Sequence, residues 1–176
     1  MNTDSIALIG YRGTGKTTVA QALAMRLGWD WVDADDVVEL RTGKSIAAIF
    51  ADEGQDAFRE LEAQVVAELC ARSRVVIALG GGAVMREANR MALRQCRDIV
   101  WLTASPETIE TRLAADPTTA GRRPNLTNAG GRNEIERLLT ERTPNYRACA
   151  TLEVDTENKA PADIADEIVA ALGLVQ

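Results

Sequence analysis

Eight consecutive residues near the amino terminus constrain this chain more than any other feature. Gly10-Tyr11-Arg12-Gly13-Thr14-Gly15-Lys16-Thr17 matches G-x-x-x-x-G-K-[ST], a loop that wraps phosphate. Its flanks have the right character: Ile6–Ile9 is a short apolar run, and Thr17–Leu27 continues with helical spacing. Val19, Leu23 and Leu27 share one face of that helix, with Ala22 beside them. Each part has a physical task. The glycines let backbone N–H groups turn inward around phosphate oxygens, and the helix N-terminus adds positive potential. Lys16 can span the β- and γ-phosphates, and the Thr17 hydroxyl can ligate Mg²⁺. A strand–loop–helix unit of this kind belongs in an α/β sheet.

The remaining chain repeats the alternation. Trp29–Val32 reads as a strand, followed by the acidic run Asp33-Ala34-Asp35-Asp36. Ser45 can cap a short helix through Phe50 that Glu53-Gly54 breaks, and Asp56–Arg72 forms a longer helix stacking Leu61, Val65 and Leu69. Val75–Leu79 is the clearest buried strand, bounded by Gly80-Gly81-Gly82. A helix at Glu87–Gln95 and a strand at Ile99–Leu102 follow, and Ser105-Pro106-Glu107 starts another helix. Asp116–Gly131 is polar and aperiodic and reads as a long mobile loop, of the kind that is usually functional in a compact domain. Arg132–Glu141 resumes helix, Thr151–Val154 is the last strand, and Ala162–Leu172 closes the chain. Five short strands alternating with helices predict a parallel sheet covered on both faces. No repeat or linker divides residues 1–176, so a single domain is expected.

Composition removes several chemistries. The chain has no histidine, which excludes Ser–His–Asp catalysis, imidazole bases and His-ligated zinc. Cys70, Cys96 and Cys149 are odd in number and lack C-x-x-C spacing, so reduced, buried thiols are expected. A net charge of −6 argues against general nucleic-acid binding. No signal-peptide pattern and no run long enough to cross a bilayer is present, so a cytoplasmic protein without membrane partners is expected. Of the 20 basic residues only Lys16, Lys44 and Lys159 are lysine, an arginine bias suited to bidentate carboxylate or phosphate recognition.

Several further residues have both a functional and a bland reading. Asp33 and Asp35, two apart in an extended segment, would project to one side beyond a strand's carboxyl end. One carboxylate can then position hydrated Mg²⁺ while the other accepts a hydrogen bond from an acceptor hydroxyl. Alternatively Asp33 caps a helix and Asp36 favours its dipole. Gly80–Gly82 admits a small substrate to backbone N–H groups, or is simply a tight turn. It is not the dinucleotide fingerprint, because Met85 stands where the third glycine would be. Arg59 can serve a ligand or merely pair with Glu62 at i+3. Arg122, Arg123 and Arg142 are ordinary surface residues or the cations a phosphoryl-transfer site needs, those on the loop being placed to cover the γ-phosphate.

As an ordered set these residues resemble the shikimate kinase family, within the nucleoside-monophosphate-kinase-like group of P-loop proteins. The likeness runs over essentially the whole chain. Beyond Gly10–Thr17 and Asp33-Ala34-Asp35, it rests on Arg-Thr-Gly-Lys-Ser-Ile at 41–46, Phe58-Arg59-Glu60 and Leu79-Gly80-Gly81-Gly82-Ala83-Val84. Arg123-Pro124 and Glu141-Arg142-Thr143-Pro144-Asn145-Tyr146 complete it. The resemblance implies ATP-dependent phosphorylation of the shikimate 3-hydroxyl, in aromatic amino-acid biosynthesis. It implies a three-layer α/β/α P-loop kinase fold, with five parallel strands in order 2-3-1-4-5 and a lid. The substrate-binding segment is expected near residues 34–61 and the lid near 113–128.

By position, Gly13, Thr14, Gly15, Lys16, Thr17 and Thr18 would bind ATP, with Arg123 reaching in from the lid and Arg112 serving adenine. Thr17 and Asp33 would hold one Mg²⁺. Asp35, Arg59, Gly81 and Arg142 would bind shikimate, the two arginines taking its carboxylate. Lys16, Asp35 and Arg123 are the implied catalytic residues, in an enzyme expected to be a monomer. Family members often carry extra arginine upstream of the Arg-Pro pair, where this chain has Asp116-Pro117-Thr118-Thr119-Ala120-Gly121 and a single adjacent Arg122. Without the resemblance, a small acidic P-loop domain lacking Asn-Lys-x-Asp is more plausibly a small-molecule kinase than a GTPase switch. Gluconate is the alternative acceptor, and a silent nucleotide-binding module the alternative of a different class.

Overall fold

A computed structural model describes residues 3–116 and 131–174. Its sheet has five parallel strands in the order β2-β3-β1-β4-β5, where β1 is Thr3–Ile9, β2 Asp30–Asp33, β3 Val75–Ala78, β4 Cys96–Thr103 and β5 Leu152–Asp155. This is the order the resemblance implied. Helices cover both faces. They are α1 Lys16–Leu27, α2 Ala34–Thr42, α3 Ile46–Cys70, α4 Glu87–Leu93, α5 Pro106–Ala115, α6 Gly131–Cys149 and α7 Pro161–Ala171.

The central strands show why the sheet needs cover on two sides. In β1, Ile6 and Leu8 face a core shared with Val19, Leu23 and Ile164, whereas Ala7 and Ile9 face one shared with Phe58, Val65 and Leu69. The same alternation divides Val76 from Ile77 and Val100 from Trp101. Each fully buried aliphatic side chain contributes roughly 1.5–3 kcal/mol of transfer free energy, so these runs define the sheet's interior. A third, smaller cluster of Tyr11, Ile109, Ile135 and Leu138 joins the phosphate loop to α5 and α6.

Local chemistry sets the element boundaries. Ser45 caps α3 by accepting from the Ala48 N–H, and Ser105 caps α5 by accepting from the Thr108 N–H, with Pro106 in its first turn. Gly54, at φ 85°, breaks α3 where the sequence predicts it. Two helices differ from expectation. The acidic run opens α2 rather than continuing extended, with Asp33 as its cap accepting from the Asp35 N–H. The helix expected to stop at Glu141 continues to Cys149 through Pro144. A proline inside a helix deletes one backbone bond, and burial of Arg142 and Tyr146 on either side of it offsets that loss. The thiols are free: Cys70 and Cys96 are buried, Cys149 only half so. A hydrogen bond donated to the Cys96 sulfur, with burial second, pushes the Cys70 thiol up.

Candidate active site

The phosphate loop leaves β1 at Gly10 and enters α1 at Lys16. A side chain on Gly10, at φ 140°, would meet the Leu102 carbonyl oxygen at 2.4 Å, so the first loop position accepts only glycine. The loop is held largely by its own atoms. Thr14 Oγ1 donates to the Tyr11 carbonyl at 2.8 Å, and Lys16 Nζ donates to the carbonyls of Gly10 and Tyr11 at 2.8 Å each. Thr14 is therefore buried side chain inward, so toward the cavity it can offer only backbone.

Beside the loop lies a cavity of about 300 Å³ lined by Gly13, Gly15, Lys16, Thr17 and Thr18. Gly80 and Gly81, just beyond the carboxyl end of β3 and beside the loop backbone, also line it, as do Asp33 and Asp35. That is where parallel α/β sheets place ligands, beyond the strand ends. Asp33 and Asp35 both reach the cavity, though not by alternating along a strand: Asp33 ends β2 and Asp35 sits in the first turn of α2. The capping and functional readings of Asp33 hold together, because one oxygen accepts from the Asp35 N–H and the other from Thr17 Oγ1 at 2.7 Å.

Burial pushes the Asp33 carboxyl above its usual range and the neighbouring Asp35 charge adds to this, against the Thr17 hydrogen bond. A divalent cation would relieve this crowding. The donors, a hydroxyl and carboxylate oxygens, suit a hard ion such as Mg²⁺. Among the described residues no group of three or more Cys, Asp or Glu side chains could hold a metal by itself. Any such ion must therefore share its coordination with water and phosphate oxygens, as Mg²⁺ commonly does.

The surroundings of the glycine turn are assembled from distant segments. Arg59 on α3 and Arg142 on α6 both reach the glycine turn. A Cβ placed on Gly82 would meet Arg59 Nη2 at 2.6 Å, and one on Gly81 would meet Arg142 Nη1 at 3.6 Å and the Arg12 N at 3.2 Å. The two guanidinium groups flank this wall rather than line the cavity floor. Arg59 also donates to Glu62 Oε2 at 2.6 Å, so the i+3 pair is real. Glu62 is only 1% exposed, which makes this a fixed strut rather than a solvated surface pair. Arg142, 8% exposed, lies 5.7 Å from the Tyr11 ring centroid, and Arg12 approaches the same ring at 6.0 Å.

Arg112 reaches the cavity from α5 and donates to the carbonyls of Gly13 and Thr156 at 3.3 and 2.9 Å, bridging the phosphate loop to the segment after β5. Arg123 and most of the expected lid lie outside the described residues; the first three lid positions, 113–115, are the last turn of α5.

The cavity also uses residues that sequence reading assigned no role. Arg12, Ile46, Leu113 and Asp116 line it. Arg12 sits inside the loop motif at a position the motif leaves open, and approaches the buried Glu134 at 3.4 Å. Ile46 belongs to a quoted family segment. Leu113 and Asp116 open the expected lid segment, and the position of α5 brings them to the cavity.

The shikimate kinase family model matches residues 12–173 of the chain. A shikimate kinase of Rhodopirellula baltica is 44% identical over 176 residues, spanning 97% of this chain and 94% of that protein. The structure of the shikimate kinase from Acinetobacter baumannii in complex with shikimate superposes with a TM-score of 0.91 at 35% identity, covering 98% of this chain and 94% of that one. A gluconokinase from Sinorhizobium meliloti 1021 covers 99% of this chain and 94% of its own, with a TM-score of 0.63 at 18% identity, a likeness of fold alone. Sequence, fold and site geometry converge: the chain belongs to the shikimate kinase family.

Proposed function

We propose that this chain transfers the γ-phosphoryl group of ATP to the 3-hydroxyl of shikimate, giving shikimate 3-phosphate and ADP, a step of aromatic amino-acid biosynthesis. One observation carries the choice of acceptor. Arg59 and Arg142, 83 positions apart in sequence, converge on the Gly81-Gly82 wall beside the phosphate loop. Two guanidinium forks on one small-molecule carboxylate form charge-assisted hydrogen bonds worth roughly 1.5–3 kcal/mol each.

The remaining roles follow from position. Gly13, Gly15 and Thr18 line the phosphate side with backbone, and Lys16 leaves the Gly10 and Tyr11 carbonyls for the β- and γ-phosphates. Asp35 accepts the proton of the attacking hydroxyl as its oxygen bonds phosphorus and the bond to the β-phosphate oxygen breaks. Thr17 and Asp33 hold Mg²⁺, which when bound neutralises phosphate charge. Arg112 borders the adenine, and Arg123 closes over the transferred group. Residues 1–176 act as one kinase domain, with the acceptor segment near 34–61 and the lid near 113–128. We place the enzyme in the cytoplasm as a monomer; no described helix is long and apolar enough to cross a membrane.

ADP release measured with shikimate, with gluconate and with no acceptor tests this directly. Shikimate-dependent release is expected. Release driven by gluconate alone would move the acceptor, and none with either would leave a nucleotide-binding module.

A further inference from the structure

The glycine wall poses a mechanical problem. A peptide plane between two glycines can flip at little steric cost, because no Cβ opposes the rotation. A wall built from Gly80-Gly81-Gly82 presents fixed N–H donors only if something pins each carbonyl. Two of the pins are local: the Gly80 carbonyl accepts from the Ala83 N–H at 3.0 Å, and the Gly82 carbonyl from the Met85 N–H at 3.1 Å. Both belong to the short 3₁₀ turn at Ala83–Met85. The Gly81 carbonyl is held from elsewhere, by the Tyr146 hydroxyl of α6 at 2.5 Å, a bond buried between two segments 65 positions apart.

Tyr146 is built to hold that bond in place. It is 1% exposed, and its ring stacks on Trp101 of β4 with centroids 5.7 Å apart and planes 24° from parallel. Arg147 also approaches Trp101, its guanidinium carbon 5.7 Å from the ring centroid. A tyrosine side chain has two torsions, and burial with the stack on Trp101 restrains both. Tyr146 is also four residues beyond Arg142, so one helical face delivers a guanidinium and a hydroxyl to the same turn. Between them Asn145 Nδ2 approaches Met85 Sδ at 3.4 Å, a second tie from α6 to this turn.

We infer that Tyr146 is a positioning residue for the acceptor site: by holding the Gly81 carbonyl toward α6, it fixes the Gly81–Gly82 peptide plane. The peptide is trans, so the Gly82 N–H is set on the opposite side. The wall between the two arginines is thereby kept in one orientation. Without the hydroxyl, the buried carbonyl lacks its donor, and the plane gains a reason to turn. This inference rests on the acceptor reading proposed above, and a single set of kinetics separates the two.

Tyr146→Phe keeps the ring and its stack on Trp101 and removes only the donor. The shikimate KM should rise by about tenfold, the scale of one buried hydrogen bond, while the ATP KM measured at saturating shikimate stays within about twofold. A merely structural Tyr146 would lower the melting temperature and leave the KM values alone. Wild type without shikimate-dependent ADP release overturns the acceptor reading and this inference with it. An active wild type with a shikimate KM shifted less than about threefold by Tyr146→Phe overturns the inference only. Should the variant fail to fold, the wild-type protein carries a second readout. Tyr11 and Tyr146 are its two tyrosines, so 3-fluorotyrosine labelling gives two ¹⁹F signals, assigned with Tyr11→Phe. The Tyr146 signal should shift on saturation with shikimate and not with MgADP alone; a signal that shikimate leaves in place refutes the pin.

Discussion

The phosphate loop and the proposed acceptor wall border one cavity side by side, yet they are held by opposite strategies. The loop is local. Most of its restraints join residues three to six positions apart, Thr14 to Tyr11, Lys16 to Gly10 and Tyr11, Thr18 to Gly15, with Thr17 to Asp33, Arg112 to Gly13 and Arg12 to Glu134 as longer ties. The wall is non-local. Arg59 comes from α3, Gly81 and Gly82 from the end of β3, and Arg142 and Tyr146 from α6. A locally restrained element can be recognised from a short string of residues and keeps its shape when the rest of the fold loosens. A wall gathered from three segments has the geometry of the whole sheet built into it, so it is sensitive to packing far from the substrate.

Lys16→Ala strikes the loop at its charge and should have the largest effect. Turnover is expected to fall by about 10³ or more, since the charge facing the phosphates is lost. Because Lys16 also ties two loop carbonyls, the variant should lose about 1–2 kcal/mol of stability, a shift of several degrees in Tm. Turnover within tenfold of wild type would break the phosphate-loop assignment.

Arg123→Ala tests whether a third region completes both halves. Losing one donor to transition-state charge lowers kcat by ~10²–10³. A change confined to KM would make Arg123 a binding residue instead.

Arg59→Lys and Arg142→Lys probe the wall. Each keeps the charge and loses the fork, so the shikimate KM should rise by roughly ten- to a hundredfold, with ATP affinity in the absence of shikimate barely changed. Unchanged shikimate KM in both would leave a P-loop kinase acting on a different acceptor.

The same contrast explains what sequence reading could and could not see. The strands and the loop were legible, because alternating apolar runs and a contiguous motif are local signals; the strand order came from the family resemblance. Arg59 and Arg142 stood out as candidate cations, but only the family resemblance gave them a carboxylate to bind; by spacing alone, Arg59 is an i+3 partner of Glu62, and the structure shows that pair too. The extended reading of Asp33–Asp35 failed because capping by Asp33 starts α2 one residue later. The continuation of α6 past Glu141 was hidden by Pro144, whose local cost is visible while the burial of Tyr146 against Trp101 is not. Tyr146, Leu113 and Asp116 illustrate the general limit: their neighbours are set by tertiary packing, which no nearby residue announces.

The smallest effect is predicted where the two halves touch, at Tyr11. Its ring is 1% exposed and packs with Ile109, Ile135 and Leu138, under the guanidinium groups of Arg12 and Arg142. Its hydroxyl is buried and has no hydrogen-bond partner among the described residues. A buried hydroxyl without a partner costs about 1–3 kcal/mol, whereas the ring that carries it contributes packing and cation–π attraction that phenylalanine would nearly reproduce. Tyr11→Phe should therefore stabilise the nucleotide-free protein, by about 1 kcal/mol or a rise of roughly 2–4 °C in Tm. The sign is the informative part, since most buried substitutions destabilise. A fall in Tm would mean that the hydroxyl is bonded within the free protein and that Tyr11 belongs to the polar framework of the loop. A rise in Tm that disappears when ATP and shikimate are both bound would mean that the hydroxyl finds its partner only in the loaded enzyme. Tyr11 would then be the residue through which the local half and the assembled half sense each other.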